Sequence, residues 1–316
     1  MTSAPMLHIV SGKGGTGKST MACALAIALA EAGKRVLLVE TEGRQSLAAL
    51  LGLPSLGYTE THVDGPWSGA LWAQSIEPAP ALADYVGMFF PLPGAGSVLQ
   101  RSGATTFVTA LAPGLRDVLI TGKFCEAARR RRGPGYQFDA VVVDAPPTGR
   151  VHTFLNVTNA VSLVSPPGTV RAHAERIRDI IGHPRTLVHL VVNDDSAAVS
   201  ETGEAVALLQ ALGIHIGVLV HNRAPVAWPR LPEGPRVEHL LHAAGADGGS
   251  VMLAQALLRA AEQSAERMAA SDAAIAPLRT GAYPVVEVPD TTAATVTDMP
   301  RRLARLIDLD IFGASA

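Results

Sequence analysis

Cysteine is nearly missing from this 316-residue chain: Cys23 and Cys125 are its only two, and they stand far apart. Without a C-x-x-C pair the chain carries no motif for zinc or an iron–sulfur cluster. So few thiols suit a reducing cytoplasm. Excess charge is lacking too. A net charge of −2 calls for neither a nucleic-acid nor a membrane-surface partner. No apolar run is long enough to span a bilayer. Lys13–Ala30, with its run MACALAIALA, superficially resembles an export signal, but its glycines lie on the wrong side for a cleavage site. Aromatic residues make up only 4%, yet 48% of the chain is hydrophobic, enough to bury the core of one large α/β domain. There is no internal repeat.

What is present is a regular alternation. Short β-branched runs at Leu7–Val10, Val36–Val39, Ala140–Val143, Leu187–Val192, Ile214–Val220 and Pro284–Val288 read as strands. Several are apolar at successive positions, as strands covered on both faces are. Between and after them, Thr20–Ala32, Glu201–Leu212, Val251–Ala270 and Met299–Ile307 read as helices, the first two stopped by Gly33 and Gly213. The expectation is a single α/β domain over 1–316 with a doubly wound, mostly parallel sheet. Ser55–Pro80, rich in Gly, Pro and Trp, reads as a meandering connection. Residues 81–132, with Met88, Phe89, Phe90 and Phe107, read as a small helical subdomain.

The first strand runs straight into Gly12-Lys13-Gly14-Gly15-Thr16-Gly17-Lys18-Ser19-Thr20 and then a helix, a P-loop in its required strand–loop–helix context. Gly14, Gly15, Thr16 and Gly17 offer inward-turned backbone N–H groups to phosphate oxygens, helped by the positive end of the following helix. Lys18 would counter the β- and γ-phosphates, and the Ser19 hydroxyl would coordinate Mg²⁺. The additional lysine, Lys13, marks the deviant Walker A group, in which that lysine commonly reaches across a dimer interface toward the partner's nucleotide.

Two more segments belong at the same rim. The strand ending in Asp144 places a carboxylate where Mg²⁺ is held through water. The stiff Pro146-Pro147 that follows leads to Gly149, whose N–H can meet a γ-phosphate and so sense the nucleotide. Glu40 and Glu42 end the second strand. Either is placed to orient an attacking water or to hold nearby loop residues, with Glu42 the stronger choice for the water. The arginine run Arg129–Arg132 reads as the solvated end of a helix rather than a DNA contact.

Taken together, SGKGGTGKST, VLLVETEGRQSLAALLG, VVVDAPPTGR, VLVHNR and VEVPD resemble the ATPase family of arsenite pumps (ArsA) and tail-anchored-protein targeting factors. Within it, EGRQ, ALAPGLRDVLITGK and DAPPTGR are closest to an actinobacterial anion-pump-like subgroup often encoded as adjacent pairs. The resemblance implies a cytoplasmic Mg-ATP-driven dimer, with itself or a paired paralogous ATPase. It further implies a client or membrane partner, a peripheral place at the inner face of the membrane, and coupling to anion transport or cargo handling. It carries over Lys13, Lys18, Ser19, Thr20, Asp144 and Asn222, the last as an adenine contact, and Pro289 in the segment that closes over the base. A positioning or partitioning switch of the MinD/ParA type is the alternative. The chain departs from the family at Glu42, where an aspartate is usual, and at Arg150, where a histidine is usual. It also lacks the paired zinc cysteines and the arsenite-binding cysteine triad.

Overall fold

A computed structural model of the chain describes residues 6–89, 113–157, 169–226, 243, 245, 248–291 and 295–314. Phe90 and Phe107 of the expected helical segment lie outside these residues. In chain order the elements are β1 (Met6–Gly12), α1 (Lys18–Glu31), β2 (Arg35–Glu40), α2 (Ser46–Leu51), β3 (Thr61–Val63), β4 (Ala70–Ser75), α3 (Pro78–Phe89) and α4 (Pro113–Arg129). A two-residue ladder of β5 (Arg131–Arg132) and β6 (Gly135–Tyr136) follows, then β7 (Ala140–Asp144), α5 (Thr148–Leu155), α6 (Thr169–Ile181) and β8 (Thr186–Val192). The chain continues with α7 (Ser196–Ala211), β9 (Ile216–Ala224), α8 (Gly248–Ile275), β10 (Val285–Pro289) and α9 (Asp298–Ala304).

Eight strands form one sheet in the order β10-β9-β8-β1-β7-β2-β4-β3. All neighbours are parallel except the β3–β4 pair at one edge. Both faces are covered, which is why the central strands read as unbroken apolar runs. Successive residues of β1 go to opposite layers: Leu7 and Ile9 pack with α3 to α7, while Met6 and Val10 pack with α1, α2 and α9. Helix α1 is buried around its whole circumference. Its alanines at 22, 24, 26, 28 and 30 are all buried and keep it slim on every side, while Leu25 and Leu29, fully buried, share a core cluster with Leu303 and Ala304 of α9. Truncating Leu25 or Leu29 to alanine would cost about 2–5 kcal/mol.

Four expectations are corrected here. The 55–80 stretch is no mere connection, since it holds β3 and β4, and β4 pairs in parallel with β2 from Arg35↔Ala70 to Glu40↔Ser75. The sequence ALWAQS lacks any β-branched residue, so local propensity hid the strand. Helix α7 starts at Ser196 rather than Glu201, because the Asp195 carboxylate caps it by accepting from Ala198 N–H at 2.9 Å. Strand β9 runs past Val220 to Ala224, carrying Asn222 within the sheet. The arginine run is divided: α4 ends at Arg129, Arg130 binds Glu60 and Glu126, and Arg131–Arg132 join the small ladder.

One polar feature sits in the middle of the sheet. His8 on β1 and His189 on β8 are fully buried, with Nδ1 of the first 3.0 Å from Nε2 of the second. Burial drives the His8 pKa down to about 4 and the His189 pKa well below its ordinary value. Among the described residues, no helix is long and apolar enough to cross a membrane.

Candidate functional site

The site forms where three neighbouring strands end. Register pairs Val10 with Asp144 and Glu40 with Asp144, so the ends of β1, β7 and β2 lie side by side. This is the carboxyl edge of a doubly wound sheet, where such folds bind ligands. The loop after β1 demands glycine for two different reasons. At Gly12 an added Cβ would strike the Val191 carbonyl of β8. At Gly17 the backbone takes φ 95°, a left-handed conformation, and a Cβ there would strike the Asn222 amide. Thr16 donates its hydroxyl to the Lys13 carbonyl at 2.8 Å, tying the loop's two ends together. Helix α1 then begins at Lys18, with the uncapped amides of its first turn aimed at the cleft.

That cleft has a volume of about 330 Å³ and is lined by Gly14, Gly15, Gly17, Lys18, Ser19 and Thr20 from the loop and α1. Glu40, Glu42, Arg44 and Asp144 face them. The Lys18 ammonium lies 3.2 Å from Asp144 Oδ1 and 3.3 Å from Glu42 Oε2. Burial pushes the Asp144 carboxyl above its usual range, against the opposing pull of Lys18 and of a hydrogen bond from Ser19. A compact cation, a hydroxyl and two carboxylates therefore converge from three separate strand ends.

Glu40 and Glu42 have different environments. Glu40 is 1% exposed. Its Oε1 accepts from Ser46 N–H at 2.7 Å and Leu47 N–H at 3.4 Å, while its Oε2 accepts from Gln45 N–H at 3.0 Å and the Ser75 hydroxyl at 3.3 Å. It holds the start of α2 and is spent on that task. Gln45, in the left-handed region at φ 58°, is kept there partly by two hydrogen bonds between its side chain and Leu56. Glu42 instead turns into the cleft, between Lys18 and Arg44, whose Nη2 is 3.5 Å from Glu42 Oε1.

The segment after β7 is fixed from below. The Ser11 hydroxyl donates to the Pro146 carbonyl at 2.6 Å, and the Thr41 hydroxyl to the Asp144 carbonyl at 2.7 Å. Beyond them, Gly149 N–H donates to Glu201 Oε1 on α7 at 2.9 Å, and the Thr148 hydroxyl donates to the same oxygen. Arg150 binds Asp117 on α4 at 3.2 Å. Lys13, expected to reach across a dimer interface toward a partner's nucleotide, lies 3.3 Å from Asp195 Oδ1 of its own chain. Asn222 does not line the cleft. Its side-chain amide donates to the Thr16 carbonyl at 2.8 Å from beneath the loop. Pro289 ends β10 opposite Ala224, also outside the cleft. Both cysteines are buried in different layers, Cys23 with α1 and Cys125 with α4, and burial pushes both thiols up.

Sequence reasoning missed Asp195 and Glu201. Asp195 carries a signal, an aspartate before a helical run. Glu201 has none, since only the packing of α5 on α7 brings it to Gly149.

The donor set suits Mg-ATP. A Cβ added at Gly14 or Gly15 would meet nothing within 4 Å, so the loop is an open cradle, and Ser19 and Asp144 offer the hard oxygens that Mg²⁺ takes. The chain is also similar to known proteins. Residues 6–166 match the family model described as anion-transporting ATPase. The chain is 45% identical over 221 residues to ATPase BagA of Mycobacterium tuberculosis, a match covering 69% of this chain and 64% of that protein. It is 32% identical over 163 residues to ATPase GET3 of Kluyveromyces lactis, covering 48% and 45% of the two chains. The match thus spans just under two thirds of the mycobacterial relative.

Proposed function

Because this chain belongs to the anion-transporting ATPase family, we propose that it binds Mg-ATP in the cleft between the 12–17 loop and the ends of β2 and β7, and hydrolyses it as a nucleotide-switched dimer. The observation that supports this best is the meeting of Lys18, Glu42 and Asp144 within 3.3 Å contacts in one cleft. Lys18 carries the positive charge for the β- and γ-phosphate oxygens, and the loop amides cradle them. Ser19 and Asp144, whose oxygens meet at the cleft, would hold Mg²⁺. The ion supplies neutralisation of charge on the phosphate oxygens.

When phosphate oxygens take over Lys18, Glu42 Oε2 loses its cation while Oε1 keeps Arg44. Oε2 is then free to accept a hydrogen bond from the attacking water and orient it. Closure of two subunits brings Lys13 of each to the nucleotide of the other. Asn222 steadies the loop from below. Because it and Pro289 end neighbouring strands outside the phosphate cleft, an adenine contact by either would require the base to lie beyond that cleft, over the ends of β9 and β10. Turnover is coupled to a partner, through anion transport or handling of a protein cargo.

The test is ATP turnover with Mg²⁺, alongside binding of a fluorescent ATP analogue, for the wild type and for Asp144→Asn and Glu42→Gln. Both variants should bind nucleotide and lose turnover on the order of a hundredfold. A wild type without ATP turnover, or a Glu42→Gln variant with full turnover, would remove hydrolysis or the water-positioning role respectively.

A further inference from the structure

The two groups given trans or switching roles above, Lys13 and the Gly149 N–H, are both held by carboxylates of a single helix. Asp195, the N-cap of α7, accepts from Lys13, and Glu201, in the second turn of α7, accepts from Gly149 N–H and the Thr148 hydroxyl. The Glu201 contact is the tighter: Thr148 is 1% exposed, and both donors converge on one carboxylate oxygen. Chemically, that oxygen is an anionic acceptor of the same kind as a phosphate oxygen.

We propose that Glu201 and Asp195 are positioning residues of the reaction: they hold the Gly149 amide and the Lys13 ammonium on α7, and ATP engages these groups by displacing the two carboxylates. The inference rests on the ATPase reading above. Neither residue touches the reacting atoms. Glu201 acts through the 144–149 segment, and Asp195 acts through Lys13. An amide has one hydrogen to donate, so Gly149 cannot serve Glu201 and a phosphate oxygen equally well at once. Exchanging one charge-assisted hydrogen bond for another makes the net gain on nucleotide binding small. Removing the competing carboxylate therefore tightens nucleotide binding. The exchange also links the nucleotide to a whole helix. Once both contacts are given up, α7 is released from the 144–149 segment and from the loop together, and a partner packed on α7 would feel that release.

The measurement is made on the full chain, with Glu201→Ala, Glu201→Gln and Asp195→Ser compared to wild type. Glutamine keeps an acceptor oxygen without its charge, and serine keeps the helix cap while freeing Lys13. Without nucleotide, Glu201→Ala should speed hydrogen exchange at the Gly149 amide by on the order of tenfold. Its KM for Mg-ATP should fall by on the order of tenfold while kcat stays within about twofold, with Glu201→Gln between it and the wild type. Asp195→Ser should let the ATP-bound dimer form at lower protein concentration. A role confined to packing α5 against α7 predicts the opposite pattern, a lowered melting temperature with KM unchanged or raised in both Glu201 variants, and that result overturns the proposal. An unchanged dimer midpoint in Asp195→Ser overturns the part resting on Lys13. Should wild-type protein bind no Mg-ATP at all, the ATPase reading fails and takes this inference with it. Wild-type binding and turnover with identical KM in Glu201→Ala would sink this inference alone.

Discussion

Glu40→Ala is the substitution whose effect the geometry predicts most closely. The Glu40 carboxylate, 1% exposed, accepts from three consecutive backbone amides, Gln45, Ser46 and Leu47, and from the Ser75 hydroxyl. Hydrogen bonds to a charged group contribute about 1.5–3 kcal/mol each, but two of these four are long, at 3.4 and 3.3 Å, and count for little. The two short ones give about 3–6 kcal/mol, and water reaching the opened amides returns part of that. The net expectation is a loss of about 3 kcal/mol, the upper end of what removal of a helix cap costs plus one orphaned buried donor. Glu40→Gln retains one acceptor oxygen yet turns an amide toward donors, so it should lose about 1–2 kcal/mol. Urea denaturation reads both, provided the slope with denaturant is unchanged. The same proteins should still hydrolyse ATP, in contrast to Glu42→Gln, since the Glu40 carboxylate is committed to α2. A loss under about 1 kcal/mol for Glu40→Ala would show that the carboxylate does not hold α2. Loss of turnover in a stably folded Glu40→Gln would return Glu40 to the list of water-orienting groups.

Other outcomes follow from the same contacts. Lys18→Ala removes the main counter-charge of the cleft and should abolish turnover and most nucleotide affinity, which a binding titration with an ATP analogue checks. Lys13→Ala should bind ATP almost normally but lose on the order of a hundredfold in turnover. Mixing it with Lys18→Ala should restore part of the activity if two identical chains pair, and full activity of Lys13→Ala alone contradicts the trans role. The buried histidine pair sets a pH dependence: with His8 at about 4 in the folded state against 6.5 unfolded, the unfolded chain binds more protons between those values. Stability is therefore complete above pH 6.5 and falls as pH drops toward 4, by about 1.4 kcal/mol per pH unit for each proton taken up. Urea titrations at pH 7, 6 and 5 measure this, and a level profile in wild type refutes it. Both buried thiols should resist a thiol reagent in the native protein and react once urea unfolds it.

The strands legible in the sequence were those whose residues decide their own conformation. Val36–Val39 and Ala140–Val143 are runs of β-branched and aliphatic residues that fit only a buried strand. Strand β4 was illegible because ALWAQS owes its conformation to β2, which pairs with it along its whole length. The beginning of α7 and the end of β9 were misplaced for a related reason. Each carries polar residues, Asp195 and Ser196 in one case and His221 and Asn222 in the other, whose partners come from distant segments: Lys13 for Asp195, Ser271 beside His221, and the Thr16 carbonyl for Asn222.

The site divides along the same line. Gly12–Thr20 is contiguous, so its spacing alone states its chemistry. Asp144 was found because it ends an apolar strand, and the sheet order then sets it between β1 and β2, where its register with Val10 and Glu40 brings it to Lys18. The sequence favours Glu42 over Glu40 for the water without showing what occupies Glu40, as the two stand only two residues apart at the end of one strand. Alternation along an extended chain sends such neighbours the same way, yet they part here because β2 stops at Glu40. Glu40, the last strand residue, is caught by the amides of α2, whereas Glu42 lies beyond the sheet and follows the loop toward the Lys18 ammonium. The extra methylene of glutamate over the usual aspartate at 42 extends that reach by roughly one carbon–carbon bond. Glu42→Asp is therefore the sharpest probe of this loop. The shorter carboxylate should lose its 3.3 Å contact with Lys18, leaving Lys18 paired to Asp144 alone and easier for phosphate to capture. Tighter ATP binding with reduced turnover would fit a carboxylate drawn back from both the cation and the water. Weaker binding would show that the Glu42–Lys18 pair prepares the lysine for the nucleotide instead of competing with it.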